Sequence, residues 1–138
     1  AIKIALTYPE RFNGVGSFSG ALTMAQTANT KYPDDTEDWL KCLERDITFV
    51  FDDVDQVENG PHDVFWLASK ATQLPNIYLS CGTNDFIYMA TVGFCQHLEN
   101  LHIPFMYHEE PAEHQWDFWD TEAIRFLDWA ISMMKNPS

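Results

Sequence analysis

The sequence predicts an α/β fold in which parallel strands are flanked by helices. Segments of helical periodicity alternate along the chain with short, apolar, strand-like runs. A helical segment lies between successive strand-like runs, and strands joined through helices run parallel. The strand-like runs are mainly apolar, as strands of a sheet buried on both faces must be.

Residues 1–8 read as a helix that stops before Pro9, because proline disfavours helix at the residue before it. This helix starts at residue 1 without a cap, so the element is expected to begin upstream. Gly14-Val15-Gly16-Ser17-Phe18 is a short strand ending at Ser19-Gly20. An irregular insert occupies about 21–60. Within it, Thr36-Glu37-Asp38 supplies a cap and acidic first turn for a helix to about Arg45. Asn59-Gly60-Pro61 is a turn, with Pro61 near the first position of a helix through Lys70. Residues 75–81 form a buried strand halted by Gly82. Residues 86–98 form a helix with Ile87, Ala90, Phe94 and Leu98 on one side. Residues 103–108 are the next strand. The last helix, about 118–134, puts Ile124, Leu127, Ile131 and Met134 on one stripe. Three strands with an open edge make a poor stand-alone sheet. Residues 1–138 are therefore expected to be one part of a larger single domain.

Composition narrows the function. The chain has 138 residues, 46% of them hydrophobic and 14% aromatic, enough to build a real core. A formal charge of −13 speaks against nucleic acid and against an anionic membrane surface. The acids are dispersed, for example Asp34, Asp35, Asp52, Asp53 and Asp55, and read as a solvated surface. No run is apolar enough to span a membrane, and Ala1–Leu6 is too short for a signal peptide. Cys42, Cys81 and Cys95 form no CxxC pattern and suit reduced thiols in the cytoplasm. His97, His102 and His108 lack the spacing of metal ligands, so no metal is expected.

In parallel sheets, catalytic groups gather beyond the carboxyl ends of the strands. Two such ends carry candidates. Asp85 lies in the tight turn after strand 75–81, and His114 lies in the loop after strand 103–108. Either residue alone reads as ordinary, Asp85 as a turn former and His114 as a surface residue. Twenty-nine residues separate them, room for one helix and one strand, so the two can meet on neighbouring strand ends. A carboxylate so placed fixes the imidazole tautomer and stabilises the imidazolium formed during proton abstraction. Trp116, Phe118 and Trp119 read as anchors of the last helix, and Trp116 and Phe86 also as candidate walls of a substrate pocket. Cys81 is a poor nucleophile, since buried strand-end thiols are usually inert. Glu109, Glu110 and Glu113 read as solvated loop acids.

Leu79-Ser80-Cys81-Gly82-Thr83-Asn84-Asp85-Phe86 and Glu113-His114-Gln115-Trp116-Asp117-Phe118-Trp119 resemble the C-terminal block of the esterase D/tributyrin esterase family, related to S-formylglutathione hydrolases. The opening Ala1–Phe12 resembles the helix after that family's nucleophile elbow, and Gly16–Leu22 the strand that follows. The resemblance covers nearly the whole chain, most weakly at 25–60. It implies the C-terminal portion of an α/β-hydrolase fold, with Asp85 as triad acid and His114 as general base. It also implies that the nucleophilic serine and the oxyanion hole belong to an N-terminal half lying before Ala1. No GxSxG occurs in these residues. Gly16-Ser17-Phe18-Ser19-Gly20 lacks the glycine two positions before Ser19.

The expected function is a serine carboxylesterase acting on short-chain acyl esters or thioesters through an acyl-enzyme, without a cofactor. The isolated chain is expected to be inactive. Its partners would be a small-molecule ester, the N-terminal half and a second copy in a homo-oligomer. The alternatives are a non-catalytic binding module on the same fold, or an acyltransferase or feruloyl-type esterase.

Overall fold

The computed structural model describes residues 1–51 and 53–135. Asp52, read from sequence as a solvated acid, lies outside the described residues, as do the last three positions. In chain order the elements are α1 (Ile2–Thr7), a 3-10 turn (Pro9–Arg11), β1 (Gly14–Phe18), α2 (Met24–Thr27) and α3 (Asp38–Phe51). A second 3-10 turn (Val54–Gln56), α4 (Val64–Lys70), β2 (Asn76–Gly82), α5 (Tyr88–Asn100), β3 (Phe105–Glu110) and α6 (Trp116–Lys135) complete them. The strands form one parallel sheet in the order β1-β2-β3.

Strand alternation sorts the side chains of the sheet into two faces. One face carries Val15, Ile77 and Leu79, which join Ile2, Leu6, Phe94 and Leu98 in the main core beneath α1, α4 and α5. The other face meets α6, and here β1 presents Gly14 and Gly16. A side chain at Gly16 would crowd the Phe126 ring at about 3 Å, and one at Gly14 would touch Trp129. The missing side chains leave room for large rings. Phe18, Tyr78, Phe126 and Trp129 fill it, with neighbouring ring centroids 5.4 to 6.2 Å apart.

That packing corrects the expectation for the last helix. Ile124, Leu127, Ile131 and Met134 are 65%, 56%, 43% and 64% exposed, and α6 instead buries Phe118 and Glu122 and leans on Phe126 and Trp129. The helix is apolar on two sides, and the aromatic side is the one that fits over the glycines.

Other boundaries moved for local reasons. The α4 helix starts at Val64, not near Pro61, because Asp63 caps it by accepting from Phe65 N–H at 2.9 Å. The other Asp63 oxygen accepts from Asn59 N–H at 2.9 Å, which pins the preceding turn. The β3 strand begins at Phe105, two residues late. His102, at φ 57°, turns the chain out of α5, and Ile103 N–H still bonds back to Leu98. The insert holds more helix than expected, with α3 running to Phe51 and α2 unanticipated. The α2 and α3 segments build a small core of their own around Ala25, Ala28, Ile47 and Val57. Among the described residues no helix is long and apolar enough to cross a membrane.

Candidate active site

Adjacent parallel strands β2 and β3 deliver Asp85 and His114 to the same edge of the sheet. Two backbone bonds hold the loops together there. Thr83 N–H donates to Glu110 O and Asn84 N–H to Ala112 O, both at 3.0 Å. Asp85 N–H closes the turn onto Gly82 O at 3.1 Å. The carboxylate then accepts from Ile87 N–H at 3.0 Å, so the helix after it begins only at Tyr88 and Phe86 stays outside. Gly82 is required by closeness rather than by its dihedral angles. A Cβ there would overlap the Ala112 backbone carbonyl.

Asp85 and His114 meet. His114 Nδ1 lies 3.1 Å from Asp85 Oδ1 and 2.9 Å from Oδ2. The aspartate side chain is fully buried, while the imidazole is 34% exposed. Burial pushes the Asp85 carboxyl up. The Ile87 N–H, the Ser19 hydroxyl and His114 together outweigh that and hold it below its ordinary value near 3.8. A carboxyl depressed on folding contributes stability that is present above the unfolded value and lost as pH falls through the folded one. The acid of this pair is therefore a carboxylate throughout the neutral range. It faces the ring nitrogen that must stay protonated if the other is to act as base.

Two aromatic rings pack against the imidazole. Phe86 lies 4.7 Å away in a tilted arrangement and Trp119 4.8 Å away edge-on, with Trp116 5.2 Å from Trp119. Phe86 and Trp116 are 73% and 74% exposed. Trp119 therefore does more than anchor α6, since it supports the ring of His114. Trp39, on α3, reaches Phe86 at 6.4 Å and escaped the sequence reading because the insert has no periodic pattern to place it. Neither Glu109 nor Glu110 is a free loop acid. Glu109 accepts from the Tyr107 and Tyr88 hydroxyls at 2.7 and 2.8 Å, which hold its carboxyl below the ordinary value. Glu110 lies 3.5 Å from Arg125.

The candidate nucleophiles within the chain are poorly suited. Cys81 is fully buried, and burial pushes its thiol up, away from the reactive thiolate. Ser19 stands at φ 50°, a left-handed conformation unusual for serine, at the carboxyl end of β1. It is 6% exposed, accepts from the Cys81 thiol at 3.7 Å and helps to hold the Asp85 carboxyl below its ordinary value. Its hydroxyl thus supports the acid. Among the described residues no hydroxyl bonds to the outer nitrogen of His114. No group of three His, Cys, Asp or Glu is disposed to hold a metal among the described residues.

Solved structures with the same arrangement of strands and helices are serine hydrolases and esterases. A fluorophosphonate-binding serine hydrolase of Staphylococcus aureus superposes with a TM-score of 0.75 at 23% identity, over 93% of this chain and 48% of that one. The S-formylglutathione hydrolase of the same organism gives 0.73 at 23% identity, over 93% and 48%. This chain carries part of an α/β-hydrolase fold. In sequence, an acetyl esterase of Caldicellulosiruptor saccharolyticus is 27% identical over 133 residues, 94% of this chain and 49% of that protein. The chain thus spans about half the length of the curated relative it matches. No protein-family model matches it.

Proposed function

We propose that the protein containing this chain is a serine carboxylesterase for small, short-chain acyl esters or thioesters, with Asp85 as triad acid and His114 as general base. The observation that carries the reading is the 2.9 Å contact between a buried carboxylate and a partly exposed imidazole on adjacent strand ends. Likeness to an acetyl esterase over nearly the whole chain supports it.

In this reading the nucleophilic serine and the oxyanion donors come from the part of the relatives' length that the chain does not cover. The serine attacks the ester carbonyl while His114 takes its proton through the nitrogen turned away from Asp85. Asp85 fixes the tautomer and stabilises the imidazolium. The proton passes to the departing alcohol or thiol, leaving an acyl-enzyme. His114 then activates water to release the acid. The reaction needs no cofactor. Phe86, packed on the imidazole, and Trp116, edge-on against Trp119, form the apolar wall of the substrate pocket. A buried acid and a histidine packed against two aromatic rings, Phe86 and Trp119, are more than a non-catalytic surface would need.

The direct test is hydrolysis of p-nitrophenyl acetate and butyrate by the full-length protein with Asp85→Asn beside it. The variant keeps the shape of the site but favours the wrong tautomer, and kcat is expected to fall by about 10⁴-fold. A variant near wild-type rate would remove Asp85 from the mechanism.

A further inference from the structure

We propose that Glu122 is a positioning residue for the catalytic histidine, fixing the start of α6 on β2 and β3 so that His114 stays in register with Asp85. The kinetic consequence rests on the esterase reading above, but the geometry does not.

Glu122 sits in the second turn of α6 with its side chain completely buried. An uncompensated carboxylate there would be severely destabilising, so its partners decide its role. One oxygen accepts from the Tyr78 hydroxyl at 2.9 Å. The other accepts from Arg125 Nε at 2.9 Å and lies 2.9 Å from His108 Nδ1, a close contact without a hydrogen bond. Burial, and then the carboxylate itself, push the Tyr78 phenol far above its ordinary range, so it remains a donor. One side chain thus joins β2, β3 and the next turn of its own helix.

The contacts flank the loop that carries His114. His108 and Glu110 precede it on β3, whereas Glu122 and Arg125 follow it on α6, and Arg125 also reaches Glu110 at 3.5 Å. Further along α6, Phe126 and Trp129 hold the helix by ring packing, which tolerates small slides. The directional bond from the Tyr78 hydroxyl to Glu122 does not. The bond from Tyr78, with His108 packed against the other oxygen, sets the rotation and height of the helix start, and so the place from which His114 projects.

The test uses the full-length protein with Glu122→Leu and Glu122→Gln. Two readouts are followed: kcat and KM for p-nitrophenyl acetate, and the low-field proton resonance of His114 Nδ1. Folded Glu122→Leu is expected to lose at least about tenfold in kcat, since misplacing a catalytic group by an ångström costs about a hundredfold. KM should stay within about twofold, and the low-field resonance should broaden or vanish. Glu122→Gln, which keeps the shape and most of the bonds, should recover most of the rate and the resonance. Folded Glu122→Leu with wild-type kcat and an unchanged resonance would overturn the proposal even if its melting temperature fell. If that variant does not fold, Tyr78→Phe decides in the same way. It removes one bond and keeps the ring, and an unchanged rate and resonance would again sink the idea. If the wild type hydrolyses no ester, the resonance alone still tests the positioning, so failure of the esterase reading is seen separately.

Discussion

Replacing His114 with alanine in the full-length protein is expected to lower kcat for p-nitrophenyl acetate by about 10⁴- to 10⁶-fold. The reason lies in what the imidazole does twice, taking a proton in acylation and again in deacylation. Among the described residues Asp85 has no second base to hold, because its other hydrogen bond comes from the Ile87 N–H. His108, the next histidine in the strand leading to the loop, lies against Glu122 and Glu110 instead, 2.9 and 3.8 Å from them. The loss should fall on kcat, with little change in KM, since His114 contributes to the transition state rather than to substrate binding. The check is steady-state kinetics over acetate and butyrate esters. A loss below tenfold would mean that another group abstracts the proton.

Gly82→Ala is expected to be the most damaging substitution that removes no functional atom. The new methyl group would meet the carbonyl carbon, oxygen and Cβ of Ala112, and the first two belong to backbone that cannot rotate aside. The loop cannot yield locally either, because Ala112 O and Glu110 O are the acceptors that tie it to Asn84 and Thr83. It must lift away from β2, carrying His114 off Asp85. A displacement on the order of an ångström predicts a fall in kcat of about a hundredfold. Gly93→Ala provides the control. Nothing lies within 4 Å of its added methyl, it sits in the middle of α5, and it should leave kcat unchanged. It should raise stability by about 0.5–1 kcal/mol through helix propensity. Equal activity in both variants, measured by the same assay with thermal melts alongside, would contradict the close-approach argument.

That Asp85 and His114 can meet was legible because that signal is local and topological, whereas the catalytic roles given to them rest mostly on the family resemblance. A turn after one buried strand and a loop after the next must lie on one edge if a helix fits between them. The core side of the sheet was legible too, since Ala90, Phe94 and Leu98 repeat at helical spacing and are buried. The α6 face was not. Two apolar stripes run along that helix, and the choice between them depends on Gly14 and Gly16 lying across from it, a tertiary fact. Glu122 reads in sequence as one more solvated acid, and its burial follows from partners on β2, β3 and α6. The insert hid Trp39 for a similar reason. Its small core gathers scattered residues such as Ala25, Ile47 and Val57 that no single period connects.

The most direct measurement of the central claim is the site of covalent capture. The full-length protein is treated with a fluorophosphonate, digested, and the modified residue read by mass spectrometry. The account predicts one labelled serine outside these 138 residues, with labelling lost in His114→Ala. A label on Ser17, Ser19 or Cys81, or no label on active protein, would contradict it.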